Sequence, residues 1–599
     1  MNLKNKIVII ASLLIGIFFV SCNDEFMERY PESEISPKNF FKNPQDLNTY
    51  LNGLYGDIIT SSYGDQVSDN ENSNEDESMY KMMRGDVKPQ TEGTWNWEKL
   101  RKINFLIENH VTAVGDQTEI NHYVGIARLF RAYHYYGKVR TFSDVPWYSK
   151  TLQTGDTEEL YKTQDSRAVV VDKILEDLAF AVENIQSVGN FSSKTRVTKW
   201  AALALQARIA LEEGTYRKYH AELELTDHKR FLELARDAAK KIFIENNQFS
   251  LYKAKGTLEP YQALFVSLDL STNPEIIWYE QYKQDLNSFH NVQVMYNNYY
   301  GLTRDLMEDY LVINGNTTKT FQQVPGYDKM SVNDIFTNRD PRLGYTFMKP
   351  GHIRAGVTIP TKAKFGIGGY VQVKYDPLTY DQISWNKSYT ALPLIRLAEV
   401  LLVYAEARAE LGELTQSDLD ITINLLRDRV GMPHMILSNV LSAIDPVQAN
   451  RYPNVSGTQR GAILEVRRER RIELACEGFR ANDIYRWKVG TLMAKESEGI
   501  YISGLGYHDI TGDGLPDIAV VKTQADADKI PEDDKQKYKL TIYILDGNTF
   551  YLSEGDHGYV KITAHKNRFT FQEPKYYYKP ISDQDILINS NLVQNKYWK

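Results

Sequence analysis

The chain has 599 residues, 42% of them hydrophobic and 25% charged, the balance of a folded globule with room for several layers of core. A formal net charge of −8 excludes a nucleic-acid partner, since a phosphate backbone asks for a basic face, and is too mild for an acidic tail. Tyrosine is the unusual residue: 40 Tyr stand beside 23 Phe and 8 Trp. A phenol ring offers a flat apolar face and an edge hydroxyl. That shape suits the C–H faces and hydroxyl rims of sugars, and it suits a large core equally well.

The first residues set the compartment. Lys4 and Lys6 precede an apolar run over residues 7–20. The run is too short for an ordinary membrane span of ~20 residues and has the form of a signal-sequence core. It ends in FVSC, with small Ser21 before Cys22, and this resembles a bacterial lipobox. Residues 1–21 are therefore expected to be a lipoprotein signal peptide, and Cys22 to carry the acyl chains, palmitate among them, that hold the body to a bilayer. Asp24 and Glu25 follow at once and resemble the acidic export tag of Bacteroidetes-type surface lipoproteins. With Cys22 acylated, Cys476 has no partner within the chain, so no intramolecular disulfide framework and no cysteine-rich metal site are expected. Cys476 reads as a small buried apolar group in a helical stretch.

Residues 23–45, with Pro31, Pro37 and Pro44, read as an extended tether. Residues 61–78 (SSYGDQVSDNENSNEDES) are polar and acidic and read as a loop. Beyond Trp95 helices dominate. Apolar residues recur at i, i+3, i+4 and i+7 over 97–109, 123–136, 167–185, 197–212, 231–244 and 392–411, one buried stripe per helix. Small residues such as Ala201, Ala202, Ala204 and Ala207 let neighbouring helices approach. The pattern resembles tetratricopeptide-type hairpins of ~34 residues, degenerate and broken by insertions. The fold class expected is mostly α: a tetratricopeptide-like hairpin scaffold with long irregular loops. Residues 251–390, rich in Tyr, Asn, Gly and Pro, read as loops and short strands laid on that frame, the usual place for binding sites.

Near the C-terminus, residues 508–517 read HDITGDGLPD. Asp509, Thr511, Asp513 and Asp517 fall at positions 1, 3, 5 and 9 of a calcium loop, and Gly514 at position 6, where the chain must turn sharply. The loop resembles those of blade-type repeats. It departs from an EF-hand, with neutral Thr511 at position 3 and Val520 at position 12. Residues 518–521, 540–545 and 550–552 read as strands, with Asp546-Gly547 as a turn, so a small β-rich insertion is expected at about 500–565. Structural calcium is the one ion the sequence raises, and no cofactor is required. No G-x-S-x-G elbow, P-loop, G-x-G-x-x-G after a strand or H-E-x-x-H occurs. His220 and His228 lie in a polar linker and read as solvated.

Several blocks resemble the SusD/RagB family of outer-membrane nutrient-binding lipoproteins. These are RAYHYYGKVRTFSDVPW (131–147, with Ser143 where Gly is usual), the helix over 167–178, TRVTKWAALALQARIAL (195–211) and NRDPRL (338–343). PLIRLAEVLLVYAEARAELG and INLLRDRVGMP follow within 393–433, then VRRERRIELACEGFRANDIYRW (466–487) and the ending YYYKPISDQDILINSNLVQNKYW. They fall in the family's order across nearly the whole mature chain, giving expected parts at 1–21, 22–240 and 241–599. Within 465–480, Glu465/Arg468 and Arg470/Glu473 stand three apart, and Glu469, Glu473 and Glu477 are read as members of a scaffold ion-pair network rather than acid–base catalysts.

The resemblance implies a non-enzymatic surface lipoprotein of the outer membrane that binds a nutrient, a glycan or oligosaccharide, and hands it to a SusC-like TonB-dependent transporter. The alternatives are a peptide- or protein-binding uptake scaffold and a surface glycoside hydrolase. The family's contact residues vary, so candidates rest on chemistry and position. Trp95 and Trp97 can present ring faces, with Arg84 as a guanidinium. Tyr296, Tyr299 and Tyr300, with Asn297 and Asn298, form an aromatic–amide cluster.

Overall fold

The computed structural model describes residues 40–58, 63–73, 77–90, 93–254, 259–566 and 568–599; Cys22 and the expected signal peptide lie outside them. The frame is a run of helices: α1 (Pro44–Ile58), α2 (Glu98–Asn109), α3 (Gln117–Phe142), α4 (Arg167–Asn184), α5 (Lys199–Tyr219), α6 (His228–Phe243), α7 (Leu397–Glu410) and α8 (Arg460–Glu473). From α2 to α8 each packs on the next, and α1 packs on α3. The boundary expected near residue 240 falls inside α6, which joins α5 to α7 in one stack.

The stack follows from the apolar stripes. On α4, Val170, Val171, Ile174, Leu178 and Ala181 are buried, and a fully buried Val or Leu is worth about 1.5–3 kcal/mol. Asp116 caps α3 by accepting the N–H groups of Thr118 and Glu119, while Ser166 and Thr198 cap α4 and α5; each cap contributes about 1 kcal/mol. Gly125 is where α3 meets the end of α4. A methyl there would lie 2.9 Å from Ile185 Cγ1, so only glycine permits this approach.

A second apolar core gathers the loop-rich residues. It includes Tyr261, Phe265, Leu302, Leu306, Phe347 and Phe365. Short strands brace it: β1 (Glu71–Ser73) runs antiparallel to β3 (Tyr300–Leu302), and β2 (Ile276–Glu280) antiparallel to β4 (Leu392–Arg396). The expected C-terminal insertion is β-rich, with β5 (Tyr501–Ile502), β6 (Gly506–His508), β7 (Ile518–Val521), β8 (Thr541–Ile544), β9 (Phe550–Leu552) and β10 (Gly558–Ile562). One sheet has the order β8-β7-β6, with β8 parallel and β6 antiparallel to β7. The other has the antiparallel order β9-β10-β5.

The seam between the cores is α8. It gives Ile463, Leu464 and Val466 to the first core and Ile472 to the second. Between these apolar residues it buries Arg467, Arg468, Glu469, Arg470, Arg471 and Glu473. Glu465 pairs with Arg468 at 2.8 Å as the spacing predicts. The other expected pair does not form: Arg470 turns to Asp483, and Glu473 accepts from Arg342, Arg396 and Arg429 on three other segments. Tertiary partners outcompete the local one because each buried charge needs several.

Four further expectations are corrected. Residues 40–45 are no part of a tether, since Phe41 is buried and α1 begins at Pro44, and the rest of the expected segment lies outside the described residues. The polar segment 61–78 is not a solvated loop where it is described: Asp65, Asn70, Glu71, Asn72 and Ser73 are at most 2% exposed. Its burial is bought by distant partners, Asp69 pairing with Arg480 and Arg471 and Asn70 accepting from Arg471. His220 is buried, stacked on Tyr216 at 3.8 Å and bonded to Glu222 and the Tyr485 carbonyl. Cys476 is buried as expected, but in the turn after α8, with φ 65°.

Candidate functional site

Trp95 and Trp97 meet edge to face at the entry to α2, with ring centroids 5.2 Å apart, and both are half-buried. Trp97 leans on Tyr148 and Tyr135, and Trp95 on Phe142. Lys138 places its ammonium 5.2 Å from the Trp97 ring centre and donates to the Thr94 carbonyl; burial pulls its pKa down to about 8. The two indoles line an open hollow of about 410 Å³, together with Tyr148, Arg101, Asn104, Lys150 and Asp585. That volume lies within the ~300–1,000 Å³ of small-molecule sites, and the lining has their composition, ring faces with a few polar groups.

The second nominated cluster divides. Tyr299 is 40% exposed and closes helix Val292–Asn298. Asn298 is exposed, donating to the Val294 carbonyl and accepting from Lys364. Tyr296 and Asn297 belong to that helix, and their side chains lie outside the described residues. Tyr300 is removed from the ligand face: it is buried in β3, and its hydroxyl donates to Glu77 at 2.8 Å. Arg84 is also apart from the tryptophans. It follows helix Ser78–Met83, pairs with Asp86 at 2.8 Å and does not line the hollow.

Sequence reasoning passed over Tyr380 and Trp385, which are 62% and 53% exposed. Their loop is fastened to the start of the same short helix, where Asn291 and Asn386 exchange hydrogen bonds and Gln293 donates to the Gln382 carbonyl. The available signal was a tryptophan in a non-periodic, turn-rich stretch.

The aspartate loop joins β6 to β7. Asp509, Asp513 and Asp517 each bring a carboxylate oxygen within 4.8 Å of the others. On α8 the acids are tied up. Glu469 and Glu473 are wholly buried; burial alone would raise their pKa values, but Arg342 with Arg427, and Arg429 with Arg396 and Arg342, outweigh it and hold both low. Such carboxylates hold charge in place and are poorly suited to transfer protons.

Stacked helices carrying long loops, with an aromatic-lined hollow at their edge, define a helical-repeat scaffold built to present a surface. The chain belongs to the SusD family, whose model matches residues 274–598. A further model, described as starch-binding associating with outer membrane, matches residues 25–211. SusD-like protein P2 of Formosa agariphila is 25% identical over 516 residues, covering 81% of this chain and 91% of its own. Among solved structures, a SusD-like protein of Bacteroides fragilis superposes with a TM-score of 0.66 at 22% identity, covering 95% of this chain and all of its own. A SusD-like carbohydrate-binding protein of the same species gives 0.64 at 21% identity over 92% of this chain and all of its own. A laminarin-binding SusD-like protein gives 0.55 at 17% identity over 93% of this chain and all of its own. At these identities the superpositions establish the fold.

Proposed function

We propose that this chain is a lipid-anchored lipoprotein of the outer membrane that faces the cell exterior, binds an oligosaccharide on its loop face and passes it to a SusC-like TonB-dependent transporter without breaking a bond in it. Family membership across both halves of the chain carries this reading. Relatives described as carbohydrate-binding and laminarin-binding support a glycan as the ligand class. Trp95 and Trp97 in the hollow, with Tyr299, Asn298, Tyr380 and Trp385 on the exposed loops, supply the ring faces and amides that sugar recognition needs. Capture followed by hand-over requires reversible binding, which a shallow, open hollow provides.

The test is calorimetry of the purified chain against a panel of soluble polysaccharides, laminarin and starch among them, with chromatography of the sugars afterwards. One polysaccharide should bind and be recovered intact. Trp95→Ala or Trp385→Ala should weaken it at least tenfold, by loss of a stacking face. Shortened sugar products would make the chain a glycoside hydrolase, and binding of peptides with no response to any glycan would make it a peptide-uptake scaffold.

A further inference from the structure

We infer that the loop between β6 and β7 is a calcium site, and that the ion bolts the C-terminal insertion onto the loop body at residues 333–362. The first observation is geometric. Oxygens of Asp509, Asp513 and Asp517 lie within 4.8 Å of one another. Two oxygens bound to one calcium ion at 2.3–2.6 Å stand at most about 5.2 Å apart, and every pair among the three carboxylates meets that limit.

The second observation is independent of that spacing. Thr511 is 4% exposed, and its hydroxyl has no hydrogen-bond partner. Its N–H donates to both Asp509 and Asp517, which sets the residue between the two carboxylates. A buried hydroxyl left unpaired is destabilising, and a cation ligated by its oxygen removes that penalty.

The charge pattern agrees. Among the described residues, buried carboxylates pair with Arg or Lys, with three exceptions: Asp65, Glu71 and Asp517. Asp517 is 8% exposed, and the Lys362 ammonium donates to its backbone carbonyl. Backbone N–H groups already orient the acids: Asp509 accepts from Gly512 and Gly514, Asp513 from Leu515 and Asp517 from Ile510. Gly512 and Gly514, with φ 77° and 80°, make the turns that wrap the loop. A hard divalent cation is the ligand class that such an all-oxygen set takes.

The loop also holds its neighbour. Asn333 donates to the Asp509 carbonyl, and Lys362 donates to the carbonyls of Asp517 and Lys539. Gly356, between these two anchors, lies against the ring of Tyr380. Ordering the aspartate loop therefore orders a segment that touches one of the exposed aromatic residues.

The purified full chain, stripped with EDTA, is titrated with CaCl₂ by calorimetry and with Tb³⁺ by luminescence. One ion per chain is expected, with a Kd of roughly 10⁻⁴–10⁻³ M, the range of extracellular calcium modules. Asp513→Ala, at an exposed position, and Asp517→Asn, which can still accept the backbone N–H groups, should each weaken binding at least tenfold. Amide hydrogen exchange over residues 333–362 should slow on adding calcium in the parent and not in either variant. Absence of calcium binding at 10 mM, unchanged affinity in both variants, magnesium binding as tightly as calcium, or exchange over 333–362 indifferent to calcium would each overturn the inference. None of these outcomes depends on which sugar, if any, the chain binds.

Discussion

Glu71 is the residue whose chemistry and surroundings conflict most. It is wholly enclosed, its Oε1 accepts the Asp65 N–H, and its Oε2 has no partner. Burial, and then the charge of Asp65, push its pKa well above the carboxylate range. The folded state therefore keeps a proton that the unfolded chain releases near pH 4.5. The stability this proton contributes is complete at acid pH and is lost as pH rises through the folded value. Glu71→Gln keeps the acceptor and removes the titration, so the variant should lose less of its melting temperature than the parent between pH 6 and 9. At pH 8 the variant should be the more stable of the two. Parallel melting-temperature profiles across that range would refute the assignment. Residue-scale burial of this kind was invisible in the sequence. Asp69 and Asn70 read as loop residues because their arginine partners, Arg471 and Arg480, stand some four hundred positions away. The same limit separates Tyr299 from Tyr300. Tyr299 ends a helix and stays exposed, Tyr300 opens β3 and is buried, and nothing local says which way is in.

At the scale of elements the sequence was far more legible. The stripes on α2, α4 and α6 follow the 3.6-residue period, whereas α5 and α7 are buried on nearly every side, and residues 392–396 of the helix expected over 392–411 form strand β4 instead. What periodicity could not show is that α8 is a seam. Its hydrophobic residues look sparse for a buried helix until its charges are seen to be neutralised by partners on other segments. Glu473 shows the cost of that arrangement. It is contacted by Arg342, Arg396 and Arg429, none of which has water to turn to. Glu473→Ala should destabilise the chain, read as a lower urea midpoint, because it removes one carboxylate from a buried cluster and leaves Arg342 to Asp340 and Glu469, and Arg396 and Arg429 to share Glu275 and Glu477. The network also predicts acid sensitivity. Burial alone would raise the Asp309 carboxyl, but Arg451 and Arg471 outweigh it and bring it down to about 2. Its contribution is therefore present above the unfolded value of 3.8 and disappears as pH falls through 2. Unfolding between pH 4 and 2 should accordingly be steep in the parent, by circular dichroism.

At the scale of the whole molecule, the two features that set its biology sit at opposite ends of what structure can explain. The folded body has no helix among its described residues that is long and apolar enough to cross a membrane. Its net charge of −8 gives it no attraction to an anionic bilayer. Membrane attachment, on the proposed reading, therefore rests on acyl chains at Cys22, each buried methylene adding about 0.8 kcal/mol. The body does carry an exposed apolar patch, with Leu587 at 84%, Ile588 at 64% and Val593 at 56% exposure, tied by Asn591 to the Tyr161 carbonyl. The two contributions separate in one experiment. In cells lacking the proposed SusC-like transporter, Cys22→Ala should move the protein from the membrane pellet to the soluble fraction. With the transporter present, part of it should stay bound and be released by detergents that leave the barrel intact. Retention of the variant at parental levels without the transporter would mean that the folded surface, and no lipid, makes the attachment.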